Sequence, residues 1–404
     1  MKELIKKVLD EYIEKDEISG ASVLVRSPKL RERYLRVDRG TADRKTGRPY
    51  DRDTIIRLYS MTKPVTSAAV MILLERGLLD RLEFVKDFIP SFAEQYFYDG
   101  KGEKRRGTRD MTIGDLLDMT GGLAYPDEET PAGIEAGKLF EKIVNKLDTP
   151  GEMSTLQVAE EIGKLTLAFD PGSAYRYSTS ADVLGAIIEK KTGIRYSDFL
   201  KEELFKPLEM EDTGFYVPED KQSRLARTYV CRKHRDTGLK PNELPLSDDG
   251  THEYKGCFLG IKNRMETPPK FESGGAGLAS TLEDYMKFAE MLENKGSYKG
   301  KRILSPETVR FMTERRSRGS IIDGFHDAFG LHGFTYSNLL RVCEEPGHGD
   351  TIMSPGEYGW DGWPGPYFAN IPSKNATILI AMQMTEFGTF SLTHKLINII
   401  MSNI

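Results

Sequence analysis

The chain has 404 residues, 39% of them hydrophobic, which allows a large buried core and, by length, two or three domains. A formal net charge of −5 argues against a nucleic-acid footprint, and no apolar run approaches the ~18 residues needed to cross a bilayer. The three cysteines, Cys231, Cys257 and Cys343, lack C-x-x-C spacing and suit a reducing compartment better than a disulfide framework.

The N-terminal stretch MKELIKKVLDEYIEKDEISG scatters charge through its length and has no continuous apolar segment. It is predicted to be a surface helix with Leu4, Ile5, Val8, Leu9, Tyr12 and Ile13 on the buried side, and a cytoplasmic protein is expected. Residues 21–27 and 30–40 read as a hairpin of strands, and 53–60 as a third strand or an extended lead into Ser60. A helix is predicted from Val65 to Arg76 with Gly77 as its stop; Pro64 is tolerated because first-turn N–H groups have no intrahelical partner. The basic stretch KGEKRRGTR (101–109) is interrupted by Glu103 and two glycines and reads as a solvated loop. Helical patterns follow at 112–123, 154–169 and 180–193, and at 280–296, where Ser280 and Glu283 fit a capping box. Strands return at 329–337, 365–371 and 376–383, before a final helix from about Leu392 to Met401. Strands at both chain ends imply one sheet. The expected organisation is an α/β lobe from residues 1–70 and 275–404, a mostly helical lobe from 71–274, and an active site in the cleft between them.

Three stretches carry candidate chemistry. Ser60 and Lys63 stand at i and i+3, on one face of a helix start, in the only S-x-x-K of the chain. A serine hydroxyl needs a neighbouring base, and a lysine becomes one when burial or nearby positive charge lowers its pKa. Taken alone, the pair is a weak signal that also reads as an ordinary N-cap with a surface lysine. Tyr175 and Tyr177 lie in a polar loop before a helix, as proton shuttles or as packing aromatics. Both tryptophans, Trp360 and Trp363, alternate with Gly359, Gly362 and Gly365; the glycines suit an edge strand that approaches a ligand, or an aromatic cluster over a sheet edge. No serine sits in G-x-S-x-G, there is no H-E-x-x-H, and the spacing of His326, Asp327 and His332 is no familiar zinc pattern. No metal or cofactor is expected.

In their order and spacing these stretches resemble the serine β-lactamase-like, penicillin-binding-protein-like superfamily, with the class C β-lactamase fold, over almost the whole chain. The supporting segments are 55–80, 111–125, 169–178, 274–292 and 354–362. The resemblance implies an antiparallel sheet flanked by helices, with Ser60 as the acylated nucleophile. Lys63 and Tyr177 would share its proton, Tyr177 as phenol or phenolate. The backbone N–H groups of Ser60 and Trp363 would form the oxyanion hole, Gly362 would hold that strand close, and Tyr125, Thr179, Trp360, Asp361 and Gly362 would contact substrate. Trp360-Asp361-Gly362 stands where class C enzymes have Lys-Thr-Gly, so a β-lactam carboxylate loses a charged hydrogen bond worth roughly 1.5–3 kcal/mol. Thr179 replaces the lactamase asparagine that contacts the substrate amide. The third motif is closest to that of the family VIII carboxylesterases. A small-ester hydrolase is therefore expected, acting on a small-molecule substrate with neither nucleic-acid nor membrane partners. The alternatives are a β-lactamase, DD-peptidase or D-aminopeptidase acting on amides, an acyltransferase, or a non-catalytic binding protein of the same fold.

Overall fold

The computed structural model describes residues 1–230, 251–315, 317–385 and 391–404; Cys231 lies outside them. Its centre is an eight-stranded antiparallel sheet assembled from both ends of the chain. In chain order the strands used here are β1 (Gly20–Arg26), β2 (Tyr34–Asp43), β3 (Arg48–Pro49), β4 (Ile56–Arg57), β5 (Ala279–Ser280), β6 (Phe334–Ser337), β7 (Leu340–Cys343), β8 (Tyr358–Asp361), β9 (Tyr367–Ile371) and β10 (Ala376–Ala381). The spatial order of the sheet is β6-β7-β8-β9-β10-β1-β2-β3, and β4 pairs separately with β5.

Side chains alternate across a strand, so one strand feeds two cores. Val23, Val25, Ile378 and Ile380 pack beneath the helices α1 (Lys2–Glu14) and, at the other end of the chain, Ser391–Met401. Leu24, Leu379 and Phe368 face the opposite, larger core. The helix α2 (Thr62–Glu75) enters that core; it is buried from Thr62 to Leu73, as an apolar helix without a polar face must be. Around it lie α3 (Ile113–Leu117), α4 (Pro131–Lys146), α5 (Thr155–Ile162), α6 (Ser180–Thr192) and α7 (Tyr196–Leu200), followed by α8 (Leu282–Glu293), α9 (Pro306–Glu314), α10 (Ser320–Phe329) and α11 (Ser391–Met401).

Several expectations shift. Leu4 is 52% exposed, while Ile5, Leu9 and Tyr12 carry the buried stripe of α1. The α8 cap is Thr281, whose hydroxyl accepts from the Asp284 N–H; Ser280 instead pairs with Ile56 in the β5–β4 ladder. Only Ile56 and Arg57 of the 53–60 segment are strand. The stretch 329–337 is split, because α10 runs to Phe329, Gly330 ends it in the left-handed region and β6 starts only at Phe334. The tryptophan-bearing strand β8 is internal to the sheet, paired with β9 along its length and with β7 at Tyr358 and Gly359. Among the described residues, no helix is long and apolar enough to cross a membrane.

Candidate active site

Ser60 occupies a single 3-10 turn, Tyr59–Met61, directly ahead of α2. Tyr59 adopts φ +43°, a conformation that L-residues avoid and that surrounding structure must enforce. The enforcement is visible: the Leu58 N–H donates to the Leu278 carbonyl at 2.9 Å, the Tyr285 hydroxyl to the Met61 carbonyl at 2.9 Å, and the Leu278 N–H to Thr62 Oγ1 at 3.1 Å.

Lys63 follows one helical step on and is 0% exposed. Its Nζ lies 3.2 Å from Ser60 Oγ, 3.1 Å from the Tyr125 hydroxyl and 2.9 Å from the Gly275 carbonyl. Burial pulls its pKa down to about 7, although the charges of Asp182 and Asp361 partly oppose this. A neutral amine keeps two N–H donors, enough for Gly275 and Tyr125, and turns its lone pair toward the Ser60 hydroxyl.

Tyr177 hydrogen-bonds with Ser60 and accepts from Trp360 Nε1 at 3.0 Å. Its ring centroid is 4.5 Å from Lys63 Nζ. Burial pushes its phenol above the ordinary value, so near neutral pH it is a proton donor rather than the phenolate the motif also allows. Tyr175 is elsewhere, packed edge-on against Phe325 and Tyr336 in the core.

The third motif reaches this site through close backbone approach. A Cβ on Gly362 would lie 2.2 Å from the Leu58 carbonyl oxygen, so only glycine brings this strand end against the chain leading into Ser60. The Trp360 ring is buried and contacts Tyr177 and Tyr336, while the Trp363 indole stacks on Phe258 at 4.2 Å and meets Tyr59 edge-on. Ser60, Tyr125, Tyr177, Trp360, Asp361, Gly362 and Trp363 line one cavity of about 700 Å³. Thr179 does not line it; at the start of α6 it is 1% exposed.

Chain 5–397 matches the Beta-lactamase family model. The chain belongs to that family. As a member it is a β-lactamase-like serine hydrolase. It is 32% identical to Protein Rv1367c of Mycobacterium tuberculosis, over 91% of this chain and 86% of that one. It is 28% identical to Esterase EstB of Burkholderia gladioli, over 88% and 83%. The solved structure of EstCE1, described as a hydrolase with promiscuous acyltransferase activity, shares the fold with a TM-score of 0.76 at 22% identity, covering 99% of this chain and 97% of that one.

Sequence reasoning missed three participants. Asp182, in the first turn of α6, is buried and accepts from Ser273 Oγ at 2.5 Å and the Gly275 N–H at 3.1 Å. Gly275 thus joins Asp182 to Lys63, its N–H donating to one and its carbonyl accepting from the other. A Cβ there would meet the Tyr125 hydroxyl at 2.6 Å, and the run Gly274-Gly275-Ala276-Gly277 was the available signal. The third is Phe329 at the end of α10, edge-on to both Tyr177 and Trp360 and part of the cavity wall.

Proposed function

We propose that the protein hydrolyses small carboxylic esters through an acyl-enzyme on Ser60. The observation that carries this reading is Lys63: a buried amine with a pKa near 7, its Nζ 3.2 Å from the Oγ of Ser60, which lines a cavity rich in aromatic side chains. Ser60 Oγ attacks the ester carbonyl carbon and gives its proton to Lys63. The Ser60 and Trp363 N–H groups hold the oxyanion, and the alkoxide leaves with a proton passed from Lys63 through Tyr177. Water then enters, loses its proton along the same path and releases the acid. Asp182, through Gly275, is a positioning residue for Lys63.

Esters rather than β-lactams are favoured by what the third motif brings to the cavity. Trp360 and Asp361 stand there in place of a cation, and a carboxylate beside a carboxylate is repelled. EstB carries the name esterase, which supports the same choice. Acyl transfer is a second reading, favoured by the activity attributed to EstCE1; partition of the acyl-enzyme toward an added alcohol would reveal it. The direct test is intact-mass spectrometry after a fluorophosphonate or p-nitrophenyl butyrate. One adduct is expected, mapped to Ser60 and absent in Ser60→Ala; an adduct that survives the substitution would overturn the assignment.

A further inference from the structure

The cavity has two aromatic walls, and they belong to different packed clusters. One is the stack of Phe258 on Trp363, which joins Tyr59 and Ile261. The other continues the main core, where Phe329 meets Tyr177 and Trp360 with ring centroids 5.1 and 5.4 Å away. Phe329 is the last residue of α10, and Gly330 at φ +63° ends the helix there. Phe325, one turn back, anchors α10 in the core, while Phe329 stays 38% exposed. Its ring is therefore an aromatic surface beside Tyr177 that the protein leaves open to the cavity.

Acyl chemistry at Ser60 decides what this wall faces. In the tetrahedral intermediate the acyl carbon carries Ser60 Oγ, the oxyanion, the leaving oxygen and the acyl chain, each in its own direction. The oxyanion turns to the Ser60 and Trp363 N–H groups, on the side of the Phe258 stack. The leaving oxygen takes its proton from the Tyr177 hydroxyl, so it lies within hydrogen-bond reach of that group. What this oxygen carries then continues along the wall that Tyr177 shares with Phe329, Leu331 and Met353.

We propose that the Phe329 wall is an alcohol subsite, which makes esters of aromatic alcohols the preferred substrates. The substrate half of the proposal rests on the ester-hydrolase reading; the binding half does not. Retraced, the same step seats an aromatic alcohol as acyl acceptor. Its oxygen bonds to the acyl carbon as the Ser60 Oγ–carbon bond breaks, and its proton passes through Tyr177 and Lys63 to Ser60 Oγ.

Two isomers place one ring on opposite sides of the ester: benzyl propanoate on the alcohol, ethyl phenylacetate on the acid. Benzyl and ethyl propanoate share one acyl-enzyme, so the ratio of their kcat/KM values reads the alcohol side alone. That ratio should be about tenfold, the worth of one or two aromatic pairs. Phe329→Ala should remove most of it and Phe329→Leu part of it, while the ratio of ethyl phenylacetate to ethyl propanoate holds. Both tryptophans line the cavity, so their fluorescence reports occupancy. Benzyl alcohol should change it saturably in Ser60→Ala, and adding Phe329→Ala should weaken that binding by about tenfold. Substitutions at Phe329 that move the acid-side ratio instead, or neither ratio, overturn the subsite while ester hydrolysis stands. Phe329-dependent binding of benzyl alcohol without Ser60-dependent turnover of any ester overturns the ester reading and keeps the subsite. Neither binding nor turnover overturns both.

Discussion

Lys63 concentrates the energetic conflict of the site. Its pKa in the folded chain is about 7 against 10.5 for an ordinary lysine, so between these values the unfolded chain binds more protons than the folded one. Stability must then rise with pH across that window, on account of this residue. Lys63→Met should flatten the rise, measured as denaturant midpoints at pH 7 and pH 10, and should lower kcat by roughly 10²–10⁴-fold. In the wild type, kcat/KM should climb as pH rises through about 7, because only the neutral amine accepts the Ser60 proton. Gly362 is the other decisive residue. An alanine methyl 2.2 Å from the Leu58 carbonyl forces the strand end away from Ser60, and a displacement near 1 Å costs about 10²-fold in rate. Gly362→Ala should therefore retain the fold by circular dichroism and lose turnover; unchanged kcat/KM would contradict the role given to the close approach. Ser60 and Lys63 were legible because i, i+3 spacing is local. Asp182 was not, since it comes near Lys63 only after α6 packs beside α2, and Gly275 showed only as part of a glycine-rich run.

At the scale of elements, Arg57 on β4 ties the approach to Ser60 to the rest of the fold. Its buried guanidinium donates to the Asn263 and Ala226 carbonyls and to the Gln383 side chain, drawing together segments distant in sequence. Arg57→Met leaves the Asn263 and Ala226 carbonyls buried without this donor, at roughly 1–3 kcal/mol each, while Gln383 Oε1 still accepts from the Arg57 backbone N–H. The expected loss is about 3 kcal/mol in urea unfolding, and a loss below 1 kcal/mol would show that the acceptors find other donors. The hydrophobic strands β1 and β10 were legible from Val, Ile and Leu runs. The helix α10 was not, because SIIDGFHDAF carries few strong helix formers and is held by the packing of Phe325 among other aromatic rings. The α8 cap slipped by one residue because Ser280 and Thr281 are both good caps, and strand pairing with Ile56 decided between them.

For the whole molecule, the sheet joins residues 20–49 to 334–381, and this closure was legible from strands at both ends. It also buries carboxyls that no local pattern reveals. Glu293 on α8 and Glu357 beside β8 are both pushed up to about 7 by burial, only partly offset by Arg26 and Arg341 respectively. Raised folded-state values mean that these groups favour folding below the ordinary glutamate range, and that the benefit is lost as pH rises through 7. The double substitution Glu293→Gln with Glu357→Gln should weaken the fall in Tm between pH 4.5 and 7, by an amount a thermal scan resolves.

The central claim is that Ser60, activated by Lys63, serves an ester site whose third motif no longer holds an anion. The ratio of kcat/KM for p-nitrophenyl butyrate to that for nitrocefin, with Ser60→Ala as the blank, tests it most directly. A large ratio that vanishes in Ser60→Ala is the predicted result. A ratio near or below one would mean that Asp361 does not exclude the β-lactam carboxylate, and would contradict the account.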